Sequence, residues 1–149
     1  MRKCIGSGST RIVFGFDNNF VLKMPKRNQK VAGDAQNRNE YSIYMRTKAS
    51  VLAKVDGWLE TELGKGLLME RLQPIEQENR TRIDFSYFQQ QGIRVCVTEE
   101  QLQLFAEQNG LSFNDLLSPI HWGISKDGAL KLFDYGWTAE VCRLYQWGK

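Results

Sequence analysis

Residues 121–136 read HWGISKDGALKLFDYG, and this segment contains a hairpin followed by an aspartate. Residues 122–125 and 129–133 are short strand patterns, and Lys126-Asp127-Gly128 between them is a strong hairpin turn. Asp134 stands at the end of the second strand, two residues before a glycine. A carboxylate presented there is well placed to hold Mg²⁺ while the chain turns away, although an ordinary strand terminus is the alternative.

The opposite end of the chain predicts a β-meander. Residues 11–16 alternate with Ile12, Phe14 and Phe16 on one face, and residues 20–24 begin a second strand after an Asp-Asn-Asn turn. Gly6-Ser7-Gly8-Ser9-Thr10 precedes the meander. The glycine-rich turn therefore enters a hairpin, where its backbone N–H groups could approach phosphate oxygens. A plain flexible turn is the alternative.

The next segments predict a helix and a second hairpin. From residue 34 to about residue 53 the apolar residues recur at spacings of three and four, which predicts an amphipathic helix. Glu40 falls on its polar face, together with Asn39, Arg46 and Lys48. Residues 58–63 and 67–70 then predict two strands around a Gly64-Lys65-Gly66 turn.

The middle of the chain is less regular. Residues 73–97 mix charged, glutamine and aromatic residues, and a helix is expected around residues 77–91. Thr98-Glu99-Glu100-Gln101 is a capping box that opens another helix, and Gly110 stands where that helix should end.

Composition limits the class of protein. A chain of 149 residues with 42% apolar and 25% charged residues predicts one folded domain and excludes a multidomain enzyme. No run of eighteen apolar residues occurs and no apolar segment follows the basic N-terminus, so a soluble cytoplasmic protein without a membrane partner is expected. The three cysteines are odd in number and far apart, which favours inert thiols over a disulfide framework or a metal site.

The charge is distributed unevenly along the chain. Residues 1–50 hold ten basic against three acidic residues, whereas residues 51–149 hold ten against fourteen. A basic first third is consistent with nucleic-acid binding or with a phosphate-bearing ligand. The residues that a nucleic-acid surface would use are Arg2, Lys3, Lys26, Arg27, Lys30 and Arg38.

Three further positions are candidates for a site. Lys23 lies between apolar strand residues and could reach inward to phosphates, and Glu40 on the following helix could pair with it. Met69-Glu70-Arg71-Leu72 ends the second hairpin, where backbone groups could bind the edge of an adenine. Each has an ordinary structural alternative: an edge lysine, a helix-surface glutamate, and a strand that runs into a loop.

The order of these features resembles the protein-kinase-like superfamily, and most closely its compact members from bacteria and their phages. The resemblance covers most of residues 5–137. It implies an α+β fold with a small antiparallel N-lobe sheet and one helix over residues 1–71, a hinge near residue 71, and an abbreviated, mostly helical C-lobe over residues 72–149. Because thirteen residues follow Gly136, we expect the usual activation segment and the helices that bind a peptide substrate to be absent or radically shortened.

The resemblance also implies roles for residues. Gly6, Ser7 and Gly8 would cover the phosphates, Val13 would cap the adenine, and Met69, Glu70, Arg71 and Leu72 would be the hinge. Lys23 would bind phosphates, Glu40 would orient it, and Asp134 would hold Mg²⁺. One departure is that Arg11 stands at the third glycine of the loop.

The catalytic loop departs further from the family pattern. Asp115 is a candidate general base, with a turn or cap role as the alternative. His121 occupies the place of the asparagine that helps to hold metal in the family, but it lies six residues after Asp115 instead of five. It is either a substitute metal or phosphate contact or, as we favour, a structural histidine bonded to the backbone.

The function expected from the sequence is ATP- and Mg²⁺-dependent phosphoryl transfer, with a protein hydroxyl as the acceptor. The alternative is a pseudokinase-type protein that binds or inhibits a target protein without catalysis, in a bacterial host cytoplasm if a phage encodes it. A basic nucleic-acid-binding domain is the least favoured reading.

Overall fold

The computed structural model describes residues 2–149 and has an α+β architecture. Its first sheet is antiparallel and has five strands in the order β1-β2-β3-β5-β4. Their bounds are β1 Cys4–Ser7, β2 Arg11–Gly15, β3 Phe20–Pro25, β4 Val55–Thr61 and β5 Gly64–Glu70. The predicted meander is confirmed. The second hairpin is also present, but its turn lies at residues 62–63 because Gly64 already begins β5.

The two faces of this sheet serve different purposes. Leu22, Met24 and Leu68 form a small outer cluster against which Phe14 packs, while Phe16 is exposed. Side chains alternate along a strand, so Val21 and Lys23 point to the other face, toward the main core. The apolar stripe seen in residues 12–16 is therefore the outer face of the sheet.

Helix α1 spans Lys30–Thr47 and follows a short 3₁₀ turn at Arg27–Gln29. The predicted helix at residues 34–53 starts earlier and ends earlier, because Lys48 adopts a left-handed φ of 45° and stops it. The expected position of Glu40 on the polar face is wrong, since Glu40 is fully buried. The helix buries a polar strip of Gln36, Asn37 and Glu40, whose partners lie on other elements.

Residues 72–149 combine a second sheet with four helices. The sheet has the order β6-β8-β9-β7, and a C-lobe described as mostly helical is therefore mixed in structure. The strands are β6 Gln73–Pro74, β7 Arg94–Val95, β8 Trp122–Ile124 and β9 Ala129–Leu132. The helices are α2 Phe85–Gln90, α3 Glu99–Asn109, α4 Phe113–Leu116 and α5 Ala139–Trp147, and Pro119–His121 forms a 3₁₀ turn.

The helix expected at residues 77–91 is much shorter than predicted. Asp84 caps the N-terminus of α2 by accepting a hydrogen bond from the backbone N–H of Tyr87, and Gly92 follows with a φ of 81°. The Gln77 side chain holds the preceding loop by accepting from the Asp84 backbone and donating to the Arg82 carbonyl. The capping box of α3 and the hairpin of β8 and β9 are confirmed.

One main hydrophobic core connects the two sheets. It joins Val21 and Met69 of the first sheet to Trp122 and Leu132 of the second. Within residues 2–149, no helix combines the length and apolar character needed to cross a membrane.

Candidate functional site

Lys23 and Glu40 meet in the interior between β3 and α1. The Lys23 Nζ lies 2.9 Å from the Glu40 Oε1, and both side chains are almost completely buried. Lys23 also donates to the carbonyl of Phe133, immediately after β9. The contact predicted between Lys23 and Glu40 is therefore present, and it ties the first sheet to the segment that contains Asp134.

Arg11 is the central residue of this charged cluster. Its Nη1 and Nη2 donate to the two carboxylate oxygens of Glu40 at 2.7 and 3.0 Å. Nη1 also donates to Asn37 at 2.9 Å, and Nη2 contacts the Asp134 Oδ1 at 3.2 Å. Arg11 thus links Glu40 to Asp134 through a buried guanidinium whose side chain is only 7% exposed.

The electrostatics of the cluster follow from burial and pairing. Burial alone would raise the pKa of Glu40, but the charges of Arg11 and Lys23 outweigh it and lower the pKa to about 2. Burial also dominates for Lys23, whose pKa is lowered despite its pairing with Glu40. For Arg11, Glu40 and Asp134 more than offset burial and raise the pKa. Glu40 is therefore an ionised acid held by two cations.

Asp134 contacts three side chains. Its Oδ1 accepts from Arg11 and, at 3.1 Å, from the Gln36 Nε2. Its Oδ2 lies 3.3 Å from the Nε2 of His121. The other ring nitrogen of His121 is 2.8 Å from the backbone carbonyl oxygen of Asp115, which can only accept, so Nδ1 is the donor. His121 therefore makes the backbone contact that we favoured and faces Asp134 as well.

Asp115 lies on the short helix α4, and its side chain lines the same cavity as His121 and Asp134. Burial raises its pKa, His121 opposes this rise, and Asp134 adds to it. A raised pKa is the property that a general base operating near neutral pH needs. The backbone of Asp115 also belongs to the first turn of α4, where its N–H donates to the cap Ser112.

Two adjoining cavities open between the sheets. The charged chamber, of about 690 Å³, contains Lys23, Arg11, Asp115, His121 and Asp134 and lies beneath the Gly6–Thr10 loop. The apolar slot, of about 370 Å³, is lined by residues of both sheets and of the segments next to their strands. The strand residues include Val13, Val21, Met69 and Trp122, and the adjacent ones include Leu72, Ile75 and Phe133. Val13 and Lys23, which are direct neighbours across β2 and β3, line both cavities.

The glycine loop and the hinge differ in how they meet these cavities. Gly6, Ser7 and Gly8 line the charged chamber, and the Gly8 N–H closes a turn onto the Arg11 carbonyl at 2.9 Å. Met69, Glu70 and Leu72 line the apolar slot. Arg71 points to the β2–β3 turn instead, where it donates to the Asp17 carbonyl at 2.7 Å.

The Mg²⁺ expected at Asp134 and His121 does not fit the residues as arranged. Mg²⁺ prefers oxygen ligands in near-octahedral geometry and is usually held by one or two carboxylates together with water and phosphate, and of this pair only Asp134 supplies oxygen. Both oxygens of the carboxylate already contact protein side chains, and one of these is a cation. Across residues 2–149, no group of three or more His, Cys, Asp or Glu residues could hold a metal ion.

The sequence reading missed the importance of Arg11, Gln36 and Asn37. Arg11 and Val13 share a face of β2 by simple alternation, so the assignment of Val13 to the ligand side also implied it for Arg11. Gln36 and Asn37 lie four and three residues before Glu40 and therefore share its side of α1. The signal that could have found them is spacing: Arg11 lies two residues from Val13 on a strand, and Gln36 and Asn37 lie one helical turn before Glu40.

Comparison with known proteins adds little. No family model and no curated protein matches the chain. A solved structure described as "Co-crystal structure of WbdD and kinase inhibitor LY294002" is similar with a TM-score of 0.45 and 15% identity. The match covers 86% of this chain but only 31% of that one. This similarity is too weak to carry a functional argument, and the function must be argued from the site.

Proposed function

We propose that the protein is a kinase-like nucleotide-binding protein of the pseudokinase type, with ATP or ADP as its ligand and a protein as its target. The observation that carries the proposal is the junction at Lys23, whose side chain lines both the charged chamber and the apolar slot. A nucleotide has a planar, largely apolar base and an anionic phosphate chain. The base matches the apolar slot, the phosphate chain matches the charged chamber, and the two cavities adjoin as the two parts of the nucleotide do.

The base would lie in the apolar slot against Val13 and Met69. Val13 comes from β2, Met69 comes from β5, Trp122 comes from β8 and Phe133 follows β9. A ligand that fills this slot excludes water from apolar side chains of both sheets, and such burial stabilises by about 25 cal/mol per Å². The phosphates would then lie near Lys23, below the loop at Gly6–Gly8.

The binding role is favoured over catalysis by the state of Asp134. Metal-assisted phosphoryl transfer needs a carboxylate that is free to coordinate the cation. Asp134 instead contacts Arg11, Gln36 and His121. In this proposal the bound nucleotide organises the cleft, and the target protein recognises the resulting surface.

Phosphoryl transfer to a protein hydroxyl remains a second candidate, and one observation favours it. Asp115, His121 and Asp134 line a single chamber beside Lys23 and Glu40, and the pKa of Asp115 is raised by burial. An acceptor hydroxyl that entered this chamber would find a carboxylate suited to take its proton.

Incubation with γ-labelled ATP separates the two candidates. We expect saturable ATP binding with neither autophosphorylation nor release of labelled phosphate above the buffer blank. Turnover that Asp134→Asn abolishes and Asp115→Asn slows by about 10²–10⁴-fold would place phosphoryl transfer first. Asp56→Asn, at an exposed position of β4, is the matched control and should leave every readout unchanged.

A further inference from the structure

We propose that the guanidinium of Arg11 takes the place of a metal ion in the charged chamber, so that nucleotide binding does not depend on divalent cations. This inference rests on the proposed nucleotide-binding function and specifies how the phosphates are accommodated. It is carried by the contacts of Arg11 with Glu40 and Asp134, which already pair both carboxylates with a cation.

Glu40 and Asp134 are already paired with cations of the protein. Lys23 and Arg11 contact Glu40, and Arg11 also contacts Asp134. Two cations therefore contact two carboxylates, while Asp115, another carboxylate that lines the chamber, makes no ion pair with either cation. In a metal-dependent site, uncompensated carboxylates repel phosphate until a cation bridges them. Here Arg11 and Lys23 offset that repulsion at Glu40 and Asp134 before the ligand arrives.

Both oxygens of Asp134 also have side-chain neighbours. Its Oδ1 has Arg11 and Gln36 at 3.2 and 3.1 Å, and its Oδ2 faces His121. A divalent cation at Asp134 would have to displace these groups and would lie close to the guanidinium. Coulomb repulsion at such a distance is strong inside a partly buried cleft.

Arg11 is held firmly in this position. Its two nitrogens bind Glu40 in a bidentate fork, and Asn37 holds the same guanidinium while also donating to the backbone of Lys23. Moving Arg11 aside would remove one of the two cations that keep Glu40 ionised in the interior. Breaking a buried ion pair in this way is strongly unfavourable, so the guanidinium should stay when a nucleotide binds.

The test compares the affinity of the wild-type protein for ADP and ATP in excess EDTA and in millimolar Mg²⁺, by calorimetry. We expect the two dissociation constants to agree within about twofold for each nucleotide, since no metal bridge contributes. A loss of affinity of about tenfold or more in EDTA would overturn the inference and leave the proposed function standing. No binding in either buffer would overturn the proposed function and the inference together.

A second measurement uses the metal alone. Mn²⁺ titrated into the wild-type protein without nucleotide should keep its free-ion electron paramagnetic resonance signal. The Arg11→Gln variant, which leaves Asp134 uncompensated by a cation, should bind Mn²⁺ and should bind ADP about tenfold more tightly with Mg²⁺ than in EDTA. Arg38→Gln, at an exposed position of α1, is the control and should behave like the wild type.

An unchanged free-ion signal of Mn²⁺ in the presence of the wild-type protein would support the inference. Mn²⁺ binding by the wild type that Asp134→Asn removes would overturn the inference. If Arg11→Gln fails to fold, the comparison of the wild type in EDTA and Mg²⁺ decides by itself.

Discussion

Glu40 shows how a buried acid is kept ionised in this protein. It accepts hydrogen bonds from Arg11 and Lys23 and also, at 3.0 Å, from the backbone N–H of Tyr135. Desolvation of a carboxylate is costly, and these donors and charges offset it. The carboxylate in turn fixes the direction of both cations that line the charged chamber.

The lowered pKa of Glu40 predicts a pH dependence of stability. Its folded pKa of about 2 lies below the ordinary value of 4.5, so the unfolded chain binds the proton more readily. The resulting stabilisation is complete above pH 4.5, is lost as the pH falls toward 2, and amounts to about 3 kcal/mol. Urea unfolding at a series of pH values should show this fall.

Glu40→Gln should flatten the profile in that window, because the amide has no proton to gain. Glu62→Gln, in the exposed β4–β5 turn, is the control and should keep the wild-type shape. If the free energy of unfolding of Glu40→Gln falls with pH as steeply as that of the wild type, another group causes the loss of stability in acid.

Lys23 and Lys26 should differ sharply in their effect on nucleotide affinity. Lys23 is buried where the two cavities join, whereas Lys26 follows β3 outside this junction. Lys23→Met leaves Glu40 paired with Arg11, so the fold should persist while the dissociation constant for ADP rises by about tenfold or more. Lys26→Met should change it by less than about twofold. Equal effects, measured by calorimetry on folded proteins, would argue against phosphate binding at Lys23.

At the scale of elements, α1 and the segment after β9 are packed unusually closely. A Cβ placed on Gly136 would lie 2.5 Å from the Gln36 carbonyl oxygen and 2.9 Å from the Glu40 Cγ. Gly136 therefore permits the backbone approach that brings Asp134 to Arg11 and Gln36. A glycine is therefore needed at position 136 for the close contact with α1, whereas the sequence pattern indicates only that the chain turns away there.

Gly136→Ala should destabilise the protein by about 1–3 kcal/mol, because the added methyl group overpacks a backbone contact that cannot yield easily. The matched control is Gly8→Ala, where the new Cβ meets nothing within 4 Å. The control should change the free energy of unfolding by no more than about 0.5 kcal/mol. Urea denaturation of both variants measures the difference, and a neutral Gly136→Ala would contradict the close approach.

At the scale of the whole molecule, residues 51–53 join the two sheets behind the cleft. The Ala53 N–H donates to the Leu132 carbonyl and the Leu132 N–H donates to the Val51 carbonyl, each at 2.8 Å. The Tyr135 hydroxyl donates to the carbonyl of Ala53 at 2.9 Å. The back of the cleft is thus a continuous hydrogen-bonded structure within the shared hydrophobic core.

This shared core predicts a single cooperative unfolding transition. The chain has four tryptophans, so Trp137 and Trp147 are first replaced by Phe. In that background Trp122→Phe leaves only Trp58, in the first sheet, and Trp58→Phe leaves only Trp122, in the second, so the two variants report by fluorescence on different halves. Their urea midpoints should each coincide with the midpoint from far-ultraviolet circular dichroism of the same variant. The segment 1–71 alone should not fold, since Val21 and Met69 would lose their partners from the second sheet. Separate transitions for the two reporters would contradict this prediction.

The features that the sequence determined by itself are local ones. The meander, the hairpin of β8 and β9 and the capped helix α3 follow from alternation, turn residues and a capping box within a few positions of each other. The contact between Lys23 and Glu40 was also predictable, because a strand and the helix that follows it pack together. The secondary structure of residues 73–97 was not predictable in this way, because the loop before α2 depends on the side-chain contacts of Gln77.

Only the tertiary structure decided the chemistry of the charged chamber. Arg11 and Asp134 are 123 positions apart, and nothing in the local pattern of either residue specifies the other. Their contact arises because α1 packs on β3 and the segment after β9 closes on α1, which brings three distant parts of the chain to one point. The sequence could therefore predict an aspartate at a strand end, but whether that aspartate faces a metal ion or an arginine was decided by packing.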